Sequence, residues 1–154
     1  MNHWLLKTEP STFSVEDLQA APRKTTSWEG VRNYQARNFI RDQIAKGDEA
    51  FLYYSSTEQP GIAAIVKVVR AAYPDASAFN KRDAHYDPGS SRDIPRWYTL
   101  DVQLKRRFKR IITLAELRAH ASEQLAGMFI LRSGNRLSVT PVDEAHWRFI
   151  LSLE

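Results

Sequence analysis

Residues 62–69, Ile-Ala-Ala-Ile-Val-Lys-Val-Val, form an apolar run interrupted only by Lys67. A run this short, rich in β-branched residues and without alternation, reads as a strand buried on both faces. The rest of the chain must therefore supply apolar cover to two sides of a sheet. Residues 49–55 fit beside it, with Phe51 and Tyr53 on one face and Leu52 and Tyr54 on the other. Residues 97–108 alternate instead. Leu100, Val102, Leu104 and Phe108 point one way, and Asp101, Gln103, Lys105 and Arg107 the other, which predicts a solvated or ligand-facing side. Short strands are expected at residues 3–7 and 136–139.

Helix signals fall between these strands. Ser14 can accept from the backbone of Asp17, with Phe13 and Leu18 at the staple positions, and Pro22 closes that element. Asn33 is a candidate N-cap for a helix that buries Ala36, Phe39, Ile40 and Ile44 and ends at Lys46-Gly47-Asp48. Thr113 and Glu116 suggest a second capping box, stapled by Ile112 and Leu117. A last helix starts near Pro141 and buries Val142, Phe149, Ile150 and Leu153. The polar loop at residues 74–95 is longer than an ordinary connection, and loops of that length tend to be functional. With no repeat or linker, residues 1–154 read as a single α+β domain, a curled and partly closed sheet with helices at its edges.

The chain has no cysteine, which removes disulfides, thiolate catalysis and cysteine-based zinc sites. The N-terminal apolar run is too short for a signal peptide and no stretch is long enough to span a bilayer, so the expected location is cytoplasmic, or nucleoid-associated if the ligand is DNA. The net charge of +4 is modest, yet it favours an acidic partner.

The densest chemistry lies in residues 28–39, Trp-Glu-Gly-Val-Arg-Asn-Tyr-Gln-Ala-Arg-Asn-Phe. Trp28 and Tyr34 are interleaved with Arg32, Arg37, Asn33, Gln35 and Asn38. Aromatic rings stack on bases, amides read donor and acceptor edges, and arginine neutralises phosphate. Trp97 lies off the apolar face of its strand, and with Tyr34 and Tyr53 it could wall a pocket for a flat ring. Trp4, Trp147, Phe149, Phe51 and Phe108 read as core. No nucleophile elbow, Walker loop or zinc-helix motif occurs, and no catalytic residue, cofactor or metal is expected. His85 and Asp87 are the best metal candidates, but two isolated ligands rarely make a site. Asp75 ahead of Gln103 and Lys105 loosely resembles a metal-dependent nuclease arrangement, with glutamine where a second carboxylate would hold the ion.

Several segments together resemble the EVE domain family of the PUA-like superfamily. They are residues 3–10 (His-Trp-Leu-Leu-Lys-Thr-Glu-Pro), 28–38, 60–62 (Pro-Gly-Ile), 72–75 (Ala-Tyr-Pro-Asp), 85–88 (His-Tyr-Asp-Pro) and 136–141 (Arg-Leu-Ser-Val-Thr-Pro). The resemblance covers essentially the whole chain. It implies a mixed-sheet pseudo-barrel with flanking helices, shared with RNA-binding and YTH-type readers of modified bases, and recognition of bases such as 5-methylcytosine derivatives. On this analogy Trp28, Tyr34 and Trp97 line the base pocket with Val31, Tyr53 and Ile62. Asn33, Ser55 and the backbone near Gly30 and Gly61 bond the base edge, and Lys7 lies at the mouth. Tyr54 stands where the family commonly has a histidine able to donate to a base or phosphate. Arg32, Arg37 and Arg41 are candidate phosphate contacts, with Lys81, Arg82 and Arg96 closing over them from the long loop. The expected partner is single-stranded or flipped-base DNA or RNA, since a stacked base offers no face to a pocket. A module for a small ligand or free nucleoside is the alternative. No membrane partner is expected, and any protein effector is undefined.

Overall fold

The computed structural model describes residues 1–154. Six strands make one sheet in the order β2-β5-β4-β3-β1-β6: β1 (His3–Thr8), β2 (Thr25–Ser27), β3 (Glu49–Tyr54), β4 (Gly61–Pro74), β5 (Tyr98–Thr113) and β6 (Val139–Val142). Four helices flank it: α1 (Val15–Ala20), α2 (Tyr34–Asn38), α3 (Leu114–Ala119) and α4 (Glu144–Leu153). β1 and β3 are parallel, and every other pairing is antiparallel. The fold is α+β, as the sequence implies.

The doubly buried β4 has the two apolar layers it requires. One joins Trp4, Leu6, Leu52, Val66, Leu100 and Val102 to α1 and to residues 28–44. The other joins Leu5, Phe51, Ile62 and Ile65 to Leu117, Trp147 and Ile150 of α3 and α4. Alternation in β3 divides as expected, with Leu52 and Tyr54 in the first layer and Phe51 and Tyr53 in the second.

β5 departs from its alternation. Val66 pairs with Leu104 and Ile65 with Arg106, so Lys105 is an extra residue. One inserted residue exchanges the faces of everything beyond it. Leu100, Val102 and Leu104 therefore belong to the first layer, while Phe108 enters the second and meets Phe51 edge-on at 6.1 Å.

The α1 capping box forms, with Ser14 Oγ accepting from Asp17 N at 3.2 Å and Asp17 accepting from Ser14 N at 2.8 Å. The second box is only half made. Thr113 accepts from Glu116 N at 3.2 Å, but the Glu116 carboxylate takes Arg110 at 2.7 and 3.0 Å. Asn33 caps α2, which passes into a π-helical turn over Phe39–Gln43, so the helical segment ends at Gln43 and Gly47 turns the chain with φ +96°. Pro141 does not open the last helix. It lies in β6, an edge strand that tolerates a missing N–H, and α4 starts after Asp143. The strand expected at residues 136–139 instead begins at Val139. No helix is long and apolar enough to cross a membrane.

Candidate nucleic-acid interface

The segment at residues 28–33 is held by the long loop. Asp75 is fully buried and its carboxylate accepts four hydrogen bonds. The donors are Gly30 N (2.9 Å), Arg32 Nη1 (3.1 Å), Ser77 N (2.9 Å) and Ser77 Oγ (2.6 Å). Burial alone would raise its pKa, but the bonds from Ser77, Gly30 and Arg32 outweigh it and hold the carboxyl below the ordinary value. Asp87 is depressed too, chiefly by Trp97 Nε1 at 2.6 Å and then by Gly89 N at 2.9 Å. Gly30 is required here, since its φ is +86° and a Cβ would lie 2.7 Å from the His85 ring.

This clasp reassigns several side chains. Arg32 donates to Asp75, Ser77, Val31 O and His85 O, so it braces the fold and is not free for phosphate. Arg37 bonds Asn38 Oδ1 and Arg96 O, and Arg41 forms a two-pronged pair with Asp42. Arg96 lies 3.6 Å from Asp87. Lys81 and Arg82 are exposed and enter no ion pair. The His85–Asp87 pair does not converge: His85 Nδ1 faces Asp83 at 3.3 Å while Asp87 serves Trp97. The nuclease arrangement does not assemble either. Asp75 is saturated, Gln103 donates to Arg23 O, and Lys105 pairs with Glu49.

The aromatic wall is closed on itself. Tyr34 and Trp97 stack at 4.9 Å between centroids, which leaves no room for a third ring between them. Arg32 lies over Trp97 at 5.4 Å and Arg37 over Tyr34 at 4.8 Å. Trp28 (8% exposed) and Val31 belong to the first core layer. Tyr54 is no substitute for a base-contacting histidine, because its buried hydroxyl accepts from Val15 N at 2.8 Å at the start of α1. Gly61 and Ile62 also leave the pocket. A Cβ on Gly61 would lie 2.3 Å from Ile112 O, so it is a packing glycine between β4 and β5, and Ile62 is fully buried.

The remaining candidates meet elsewhere. β1 and β3 run side by side with Lys7 opposite Tyr53, so their carboxyl ends open at one end of the sheet. There Lys7, Tyr53 and Ser55 line a cleft of about 440 Å³ with Arg118 of α3 and the segment at residues 130–135. A groove of about 310 Å³ adjoins it through Gly134 and Asn135 and brings in Asn33, Gln35 and Arg136. Lys7, Arg118, Arg132 and Arg136 line these two spaces, whose linings contain no aspartate or glutamate. None of the four is in an ion pair. Burial lowers the pKa of the Lys7 amine and raises that of the Tyr53 phenol. Ser56, on the rim, has φ +54°. Such a left-handed residue costs about 1 kcal/mol and is concentrated at ligand sites.

The family model of the EVE domain matches residues 2–153. The chain belongs to the EVE domain family. It is 46% identical to human thymocyte nuclear protein 1 over 167 residues, covering 99% of this chain and 74% of the relative. Its fold is similar to the crystal structure of human THYN1 protein in complex with 5-methylcytosine-containing DNA, with TM-score 0.94, 45% identity and coverage of 99% and 97%. A protein from Pseudomonas syringae is similar at TM-score 0.92 and 42% identity over 98% of both chains. The α+β sheet architecture is thus that of the PUA-like EVE domain.

In this EVE domain the cleft and groove residues that the sequence reading did not single out include Arg118, Arg132, Asn135 and Arg136. Arg118 reads locally as a cation closing a helix. Residues 132–136, Arg-Ser-Gly-Asn-Arg, carry the same arginine and amide vocabulary as residues 32–38, and that was the available signal.

Proposed function

We propose that this EVE domain is a non-catalytic nucleic-acid reader. It takes one unstacked base, bearing a small modification of the 5-methylcytosine kind, into the cleft at the carboxyl ends of β1 and β3. The observation that carries this reading is the set of four cations around a cleft and groove without a single carboxylate. A half-buried amine with no counter-ion favours an anionic ligand, because phosphate returns the charge compensation that burial removed. Similarity to a protein crystallised with 5-methylcytosine-containing DNA supports the same reading.

In this role Tyr53, Ser55 and Asn33 contact the base, and Lys7, Arg118 and Arg136 contact the adjoining phosphates. Lys81 and Arg82 remain free for the flanking strand. Asn33 Oδ1 already accepts from Ala36 N at 3.0 Å, so its amide donors are the part available to a base. Removing a base from a duplex costs a few kcal/mol, so single strands and weakened pairs bind better than intact duplex. Burying the extra methyl contributes only about 0.8 kcal/mol, which limits discrimination to a few-fold unless a polar contact adds to it. A neutral free nucleoside, the competing ligand, would have no use for the four cations.

The test is anisotropy titration of labelled single strands carrying cytosine, 5-methylcytosine or 5-hydroxymethylcytosine at two salt concentrations. Tighter, salt-sensitive binding to a modified strand, lost in Lys7→Ala with Arg118→Ala, is the expected result. Binding of free nucleosides but not strands would overturn it. Incubation with Mg²⁺ and plasmid DNA should leave the DNA uncut.

A further inference from the structure

Three large apolar side chains are substantially exposed: Met1 at the terminus, Tyr34 (53%) and Ile94 (78%). Tyr34 is stacked on Trp97, so Ile94 is the one that reaches into solvent from the interior of the chain without an aromatic partner. Isolated exposed apolar residues are common and need no role. Ile94 differs in how it is held and in what surrounds it.

Its backbone is fixed at both ends of a tight turn. Ser91 N donates to Ile94 O at 3.5 Å, and Ile94 N donates to Ser91 Oγ at 3.1 Å. Arg96 N donates to Ser90 Oγ at 3.0 Å, and Pro95 restricts φ just beyond the tip. The base of the turn is anchored by Arg37 Nη1 on Arg96 O at 3.1 Å and by Trp97 Nε1 on Asp87 at 2.6 Å. Arg92 and Arg96 lie two residues to either side, and Arg92 covers Phe79 at 5.0 Å, beside the exposed Lys81 and Arg82. Asp93 adjoins the tip and Arg96 is paired with Asp87, so the unpaired cations near this stiff apolar point are Arg92, Lys81 and Arg82. Helix α2 links it to the cleft, since its N-cap Asn33 lines the adjoining groove while its Arg37 holds the base of the turn.

Resting on the nucleic-acid reading above, we propose that Ile94 is a wedge that enters a duplex where the recognised base leaves the stack. An apolar side chain inserted at a base step replaces lost stacking and stops the base from returning, while the neighbouring cations engage the backbone. The wedge has no task on a strand that is already single, and this makes it separable from the cleft.

The experiment compares wild type, Ile94→Ser and Ile94→Leu on a 5-methylcytosine oligonucleotide, single-stranded and duplex, with 2-aminopurine beside the modified base. Ile94→Ser should keep its melting temperature and its single-strand affinity within about twofold, lose about tenfold on duplex, and lose the 2-aminopurine fluorescence rise. A mismatch opposite the modified base should restore its binding, and Ile94→Leu should behave as wild type. Unchanged duplex binding and fluorescence in Ile94→Ser, or equal losses on both substrates, would overturn the wedge while leaving the reader intact. Failure of wild type to bind either substrate would instead remove the reader, and the wedge with it.

Discussion

Trp28 and Lys7 show how local context inverts the roles of two side chains. Trp28 looks like a platform for a base because polar residues surround it in sequence, but its ring is packed in the first core layer. Trp28→Ala should therefore lower stability by about 3–5 kcal/mol, seen as a large fall in melting temperature, and a binding loss in that variant would report on folding. Lys7 is the opposite case. Its amine is half-buried with no counter-ion, and burial lowers its pKa. The folded state thus disfavours the charged form, so stability should rise with pH as the solution passes upward through that lowered value. Lys7→Met should remove this alkaline dependence and leave the protein at least as stable, while weakening nucleic-acid binding. Denaturant titrations between neutral and alkaline pH check both parts, and a clear loss of stability in Lys7→Met would assign the lysine to the fold.

Asp75 joins the segment at residues 28–33 to the long loop, Asp87 ties that loop to Trp97, and both carboxyls are depressed. Asp75 and Asp87 therefore contribute stability that is present above their unfolded values and lost as pH falls through their folded ones. The clasp should open on the acid side before the sheet does. Asp75→Asn leaves Arg32 facing a neutral partner in a largely enclosed site, at a cost of about 3 kcal/mol, and it should flatten the acid limb of the stability profile. Hydrogen exchange at the Gly30 and Ser77 amides, measured against amides of β3 and β4, checks that the loss is local. Gly61→Ala tests a different joint. A Cβ 2.3 Å from the Ile112 carbonyl must push β4 from β5, and overpacking of that kind costs about 1–3 kcal/mol.

Across the molecule, the densest basic run in the chain is not the proposed interface. Residues 105–110 hold five cations around Phe108, yet Lys105, Arg106, Arg107 and Arg110 are paired with Glu49, Glu154, Glu16 and Glu116. These pairs are mostly solvent-exposed and add little stability one by one, but they cancel the local field. Charge left over from pairing is what a phosphate meets, and the cleft and groove hold four such cations. Arg118→Ala with Arg136→Ala should reduce the salt slope of binding by about two, one for each phosphate that no longer meets a guanidinium. Arg41→Ala should leave the slope unchanged because Asp42 already occupies that guanidinium. Slopes from titrations at several salt concentrations decide between them.

What this sequence determined by itself is what rests on neighbours a few residues apart. The caps at Ser14 and Asn33, the doubly buried β4, the two faces of β3 and the core places of Trp4, Phe51 and Trp147 all follow from local hydrogen bonds and periodic burial, and the motifs were enough to indicate the family. Tertiary structure alone decided whether a polar side chain was free. Arg32 is consumed by groups more than 40 positions away, Tyr54 by Val15 and Lys105 by Glu49, whereas Lys7 and Arg118 are left unpaired. The bulge at Lys105 likewise turned Phe108 to the other layer without leaving a mark in the alternation. A side chain's type fixes which bonds it can make, but only the chain's return from distant positions fixes which of them are already made.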